Sequence, residues 1–301
     1  MGPVFNSAVA HYAGRFAPSP TGSLHFGSLV SALASFLQAR FSRGQWIVRI
    51  EDIDPPREVA GSADSILHDL EIMGLSHDGP VLYQSRRTRH YHAAVEKLID
   101  QGDAYWCGCS RKDLPTSGIY AGTCRNGLPP GKPARAVRLK VSREEIRFTD
   151  RIQGERSENL DETVGDFVIL RADGLPAYQL AVVVDDAFQG VTEVVRGMDL
   201  FSSTARQIFL QQRLGLITPD YAHHPLATHD DGKKLGKRFG SVPVSRADAR
   251  DALSLALKFL GHSPPDGLSQ RGIMDWALEN WSLAAVPAVP ELESPRRFQP
   301  D

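Results

Sequence analysis

A strand, a tight turn and a helix follow one another near the N-terminus, and this unit limits the folds open to the chain. Gly14 to Ala17 reads as a short strand, and Pro18-Ser19-Pro20-Thr21-Gly22-Ser23 as a turn-forming run. From Phe26 onward, Leu29, Leu33, Phe36 and Leu37 recur at the spacing of one buried helix face. Trp46 to Ile50 reads as a second core strand, with Glu51, Asp52 and Asp54 at its exit. Helices are expected over Gly61 to Met73 and Arg86 to Gln101. Strand alternating with helix in this order predicts an α/β, Rossmann-like parallel sheet covered by helices.

Beyond Gln101 the pattern changes. Cys107 to Lys132 is rich in Gly, Pro, Ser and Thr and reads as a loop-rich insertion. Arg135 to Val141, Asp166 to Leu170 and Tyr178 to Val184 look strand-like; Ser202 to Leu214, Arg246 to Leu260 and Ile273 to Trp281 look helical. The expected organisation is 1–101 and 191–245 as two halves of a catalytic domain, with 102–190 inserted between them. Residues 246–285 form a short helical region, and 286–301, with four prolines, a disordered tail.

The apolar stretches are too short to cross a bilayer, and the start lacks a secretory pattern, so no membrane contact and a cytoplasmic location are expected. No pairing helix is visible, and a monomer is expected. A net charge of −2 does not announce a nucleic-acid binder, although nine Lys/Arg face five Asp/Glu between Gly102 and Asp150. All three cysteines fall within Cys107 to Cys124, which in a reducing compartment points to metal or redox chemistry rather than disulfides.

Two segments suit phosphate. His25-Phe26-Gly27-Ser28 stands at a helix N-terminus, where unpaired N–H groups and the dipole favour an anion. Gly27 leaves room for close approach, and His25 can donate a hydrogen bond. The second segment, Asp231 to Gly240, carries Lys233, Lys234, Lys237 and Arg238 between glycines, as a loop closing over a polyphosphate would. Neither segment is a P-loop or a G-x-G-x-x-G fingerprint. Each alone is weak: taken singly, a helix cap and an exposed basic loop are the favoured readings.

Together they resemble the HIGH and KMSKS motifs of class I aminoacyl-tRNA synthetases. Gly14-Arg15-Phe16-Ala17-Pro18-Ser19-Pro20-Thr21-Gly22 is similar to the opening of glutamyl-tRNA synthetases. So are Arg49 to Asp54, Tyr83-Gln84-Ser85-Arg86 and Val194 to Leu200. The resemblance implies that Arg15, Phe16, Ala17, Pro18, Ser19, Glu51, Tyr178 and Arg196 hold L-glutamate. It implies that His25, Gly27, Ser28, Lys234 and Lys237 hold ATP with Mg2+, His25 and Lys237 being catalytic. Guanidinium groups suit carboxylates, and Glu51 suits an ammonium group.

Few residues follow Gly240, too few for an anticodon-binding domain. In this the chain resembles the glutamyl-queuosine tRNA(Asp) synthetases, which implies tRNA(Asp) carrying queuosine as the acceptor. Cys107, Cys109, Tyr120 and Cys124, as C-x-C-x10-Y-x3-C, resemble that family's structural Zn2+ site. Three thiolates suit zinc, and the choice of Tyr120 rests on the resemblance alone. Gly236 stands where the family usually has Ser, which bears on loop closure. Two alternatives differ in kind: a non-catalytic RNA-binding relative, or a glutamyl-tRNA synthetase core that charges tRNA(Glu) with a partner.

Overall fold

The computed structural model describes residues 12–229, 243–244 and 249–298. Strand β1 (Ala13–Phe16) leads through the proline-rich turn to helix α1 (Phe26–Phe41), and strand β2 (Gln45–Ile50) returns parallel to β1. Helix α2 (Ser62–Ile72), the two-residue strand β3 (Leu82–Tyr83) and helix α3 (Thr88–Asp100) follow, with β3 parallel to β2.

The middle of the chain is antiparallel. Strands β4 (Ala104–Cys107) and β5 (Ala136–Leu139) precede the hairpin of β6 (Glu145–Asp150) and β7 (Gly154–Asn159). The one-turn helix α4 (Leu160–Thr163) leads into β8 (Phe167–Leu170), which pairs with β5. Helix α5 (Tyr178–Phe188) then carries the chain back to a parallel pair, β9 (Glu193–Gly197) and β10 (Asp220–His224), joined by helix α6 (Thr204–Leu214).

The two parallel sets meet at β1 and β9. The Thr192 amide donates to the Ala13 carbonyl at 2.9 Å, so the strands run β3-β2-β1-β9-β10. The order reverses direction between β1 and β9, and in open α/β sheets ligands bind at the carboxyl ends of such a switch point.

The structure corrects two expectations. Tyr178 to Val184 is helical, not extended. Leu180, Ala181, Val182, Val183, Asp185 and Asp186 are all buried, and a helix covered on all sides loses the periodicity that distinguishes it from a core strand. Nor is the described part of the tail disordered. Strand β11 (Leu226–Thr228) pairs with β12 (Glu291–Glu293), and helices α7 (Ala249–Phe259) and α8 (Gln270–Asn280) share the core of α1 and β2. Beyond β12, Phe298 stacks on Phe26 with ring centroids 4.7 Å apart, and Phe26 meets Phe259 edge-on at 5.7 Å. Each such pair contributes about 0.5–1.5 kcal/mol beyond burial. The Phe298 contact therefore fastens a proline-rich segment that has no α-helix among its described residues.

Candidate active site and metal centre

His25 caps α1, with Nδ1 accepting the Ser28 amide at 3.3 Å and Nε2 lying 3.0 Å from the Ser28 hydroxyl. A pocket of about 140 Å³ opens beside it. His25 and Gly27 form one wall, Gly197 and Asp199 a second, and His224 and Ala227 the third. It lies at the carboxyl ends of β9 and β10. His224 is locked by a hydrogen bond from Nδ1 to the Pro225 carbonyl at 2.9 Å, which leaves Nε2 to accept from the Ser31 hydroxyl, also at 2.9 Å.

The fold does not require glycine at position 27. The nearest atoms a Cβ there would meet are His25 Cε1 at 3.4 Å, His25 Nδ1 at 3.5 Å and Ala227 Cβ at 3.9 Å, which is ordinary contact, and both residues line the pocket. Gly27→Ala is therefore expected to leave the thermal unfolding midpoint unchanged or slightly raised, because alanine is the better helix former. It is expected to raise the KM for ATP about tenfold through overlap in the pocket. Unchanged ATP binding in titrations of this variant would remove Gly27 from the site.

Lys234 and Lys237 lie outside the described residues, as do Asp231 to Gly240 as a whole. The flanks of that segment are placed. Pro243 pairs backbone-to-backbone with His25, and the Val244 amide donates to the Leu24 carbonyl at 2.9 Å. The return end of the lysine-rich segment is thus fastened to the first motif.

A second group of side chains gathers where β1, β2, α5 and β9 converge. Arg15 on β1 reaches Asp186 on α5 at 3.4 Å; Arg49 on β2 reaches the same carboxylate at 2.7 Å and Glu51 at 3.4 Å. Glu51 lines a cleft of about 80 Å³ with Ser19, Gln84 and Tyr178. Burial lifts its carboxyl to about 7, against the opposing pull of Arg49 and then Arg15. Burial also raises the Tyr178 hydroxyl, whose charged neighbours are Glu51, Arg196, Arg15 and Asp186. Arg15, Glu51, Tyr178 and Arg196 are thus brought together.

The remaining loop positions differ in role. Ser19 faces the cleft, whereas the Phe16 ring belongs to the core and lies parallel to Trp46 at 6.3 Å. The Pro18 carbonyl accepts the Glu51 amide at 3.0 Å, fixing the loop to the end of β2. Ala17 follows Phe16 directly and is half-buried.

Sequence reasoning passed over Arg49, Asp185 and Asp186. Asp185 is fully buried and accepts from Gln84 Nε2 at 2.9 Å, Arg87 Nε at 2.6 Å and the Tyr91 hydroxyl at 2.6 Å. Two adjacent carboxylates inside the apolar run Leu180 to Phe188 were the available signal, since buried acids need partners.

Cys107, Cys109 and Cys124 bring their sulfurs within 4.8 Å of one another. Cys109 and Cys124 Sγ are 3.7 Å apart, and the Tyr120 hydroxyl lies 3.3 Å from Cys107 Sγ and 3.4 Å from Cys109 Sγ. A tetrahedron of ligands about 2.3 Å from a centre has edges of about 3.8 Å, so the donor set fits Zn2+. Gly165 seats this loop: its φ is +67°, and a Cβ there would stand 2.3 Å from the Tyr120 carbonyl oxygen.

A parallel sheet with a histidine-capped helix at its switch point, beside buried arginines and a carboxylate, defines a class I synthetase catalytic domain. The profile described as tRNA synthetases class I (E and Q), catalytic domain, matches residues 12–117 and 122–264. The chain belongs to this family, among relatives named glutamyl-Q tRNA(Asp) synthetase. One from Chromobacterium violaceum is 52% identical over 289 residues, covering 93% of this chain and 97% of the relative. One from Pseudomonas fluorescens is 51% identical over 294 residues, covering 95% and 98%. The crystal structure of glutamate-tRNA synthetase from Elizabethkingia anophelis superposes with a TM-score of 0.80 at 27% identity, covering 95% of this chain and 68% of that one. No helix among the described residues is long and apolar enough to cross a membrane.

Proposed function

We propose that the chain activates L-glutamate with ATP as glutamyl-adenylate and transfers the glutamate to queuosine in tRNA(Asp). The observation that carries this reading is the charge arrangement at the switch point. The cations Arg15 and Arg196 and the carboxylate Glu51 surround Tyr178, which suits an amino acid bearing one more carboxylate than ammonium.

In the first step the substrate α-carboxylate attacks the α-phosphorus, forming an O–P bond as the bond to pyrophosphate breaks. The carboxylate is already ionised at neutral pH, so no protein base is required. Catalysis is then positioning and charge stabilisation by His25, the start of α1 and the lysine-rich loop, with Lys237 and Lys234 assigned by resemblance. Mg2+ accompanies ATP and supplies phosphate charge neutralisation. In the second step a queuosine hydroxyl attacks the carbonyl carbon of the mixed anhydride, the bond to the phosphate oxygen breaks as the ester forms, and AMP and the hydroxyl proton are released. Cys107, Cys109, Tyr120 and Cys124 would hold Zn2+ as a structural clip.

The test is pyrophosphate exchange, then acceptor choice. Zinc-loaded protein is expected to exchange labelled pyrophosphate into ATP only when L-glutamate is present. It should then glutamylate tRNA(Asp) bearing queuosine but not tRNA(Asp) lacking it. Charging of tRNA(Glu) would reject the acceptor, and no exchange would reject the activity.

A further inference from the structure

Arg196 is only 4% exposed, yet among the described residues no carboxylate lies within ion-pair distance of it. Arg15 and Arg49, its neighbours in the site, both pair directly with Asp186. Arg196 is instead held by neutral acceptors. Its Nε donates to His223 Nε2 at 2.9 Å, Nη1 to Gln207 Oε1 at 2.8 Å, and Nη2 to the Thr204 hydroxyl at 3.0 Å. Nη2 also reaches the Leu200 carbonyl at 3.3 Å. A guanidinium has five N–H bonds, so one on Nη1 has no protein acceptor among the described residues.

The histidine can play this part in one tautomer only. Because His223 Nε2 accepts from Arg196, the ring proton sits on Nδ1, and Nδ1 lies 2.5 Å from Asp150 Oδ2. Both side chains are wholly buried. Burial depresses the imidazole to about 4 even beside that carboxylate, so the ring stays neutral at physiological pH. The other oxygen, Asp150 Oδ1, is occupied by the amides of Ile152, Gln153 and His223 at 3.0, 2.8 and 3.1 Å.

We propose that Asp150 and His223 are positioning residues that present Arg196 as an uncompensated cation to the side-chain carboxylate of the substrate. A direct Arg–Asp contact would neutralise the guanidinium. Interposing a neutral ring keeps the carboxylate one imidazole away, orients the fork through its Nε–H, and leaves the charge for the ligand. This rests on the proposed function, deepening it by adding two residues behind the one that touches substrate.

Asp150→Asn separates the roles. The amide oxygen can still accept the three backbone N–H groups, while the amide nitrogen, needing an acceptor, forces the proton to His223 Nε2, against Arg196 Nε–H. The expected result is a KM for glutamate raised at least about tenfold, with KM for ATP and the unfolding midpoint little changed. His223→Gln, whose carbonyl can replace the Nε2 acceptor, is expected to stay within about threefold of the unaltered protein. His223→Phe keeps a ring but no acceptor and is expected to match or exceed the Asp150→Asn loss. In the His223→Phe background, where nothing at position 223 accepts from Arg196, Asp150→Asn should cost nothing more, whereas a merely structural aspartate would give additive losses.

Exchange by the unaltered protein with an unchanged KM in Asp150→Asn, equal behaviour of the Gln and Phe variants, or additive losses would each overturn the relay alone. No glutamate-dependent exchange by the unaltered protein would overturn the proposed function and the relay with it.

Discussion

Replacing Glu51 by Gln is expected to raise the KM for glutamate about 10²- to 10³-fold, because losing one partner of a buried charge pair costs about 2–5 kcal/mol. The change is isosteric and makes no cavity. Arg49 keeps Asp186 at 2.7 Å and Gln189 Oε1 at 2.8 Å, so the fold should survive. The pH profile identifies the charge as the cause. Burial lifts the Glu51 carboxyl from 4.5 to about 7 despite Arg49 and Arg15. Below about 7 it therefore holds its proton and offers an ammonium group only neutral oxygens.

For the unaltered enzyme, kcat/KM for glutamate should climb as pH rises through about 7 and level off above it. Glu51→Gln should lack that step. The same group also acts on stability: between 4.5 and about 7 the folded protein holds a proton that the unfolded chain has lost. Glu51 thus contributes stability that is fully present at low pH and lost as pH rises through about 7. A step in kcat/KM that persists in Glu51→Gln would assign the titration to another group.

The parts of the site visible in sequence are those written locally. The turn after β1, the histidine at the start of α1 and the acidic exit of β2 each combine a structural signal with a chemical one over a few residues. The cysteines were legible for the same reason: their spacing lies within a single loop. What sequence did not show is pairing across distance. Arg15 and Asp186 are 171 residues apart, and Asp150 and His223 are 73 apart. Periodicity says which residues are inside, not which polar groups meet there. Helix α5 was misread because burial on every side erased its period. The tail was misread because its prolines are a local signal, whereas the Phe298–Phe26 contact that fastens it is not.

Cys107→Ser is expected to abolish zinc retention and unfold the loop it closes without unfolding the catalytic sheet. Structural zinc sites carry apparent binding free energies of about 10–16 kcal/mol at neutral pH, enough to decide whether a small segment folds. This segment has little else: its own cluster of buried residues is Tyr105, Cys107, Tyr120 and Cys124, three of the four being proposed ligands. Its remaining attachments are few. Arg125 pairs with Asp166 at 2.5 Å, and Arg138 lies 3.9 Å above the Tyr120 ring while donating to the Asp166 carbonyl at 2.6 Å. Removing zinc leaves these to hold a glycine- and proline-rich stretch whose polar backbone water can solvate equally well.

Strands β4, β5 and β8 should stand, because Ala104, Val137, Leu139, Phe167 and Ile169 pack into a separate core with α3 and α5. In hydrogen exchange, amides of residues 108–132 should lose protection in Cys107→Ser while those of α1 and β2 keep it. Metal analysis should fall from about one zinc per chain to near zero. Pyrophosphate exchange should persist, since His25, Glu51 and Arg196 stand on elements outside the loop. If the metal-free protein kept residues 108–132 protected, hydrogen bonds and Gly165 docking would suffice, and the four donors would not be a folding clip.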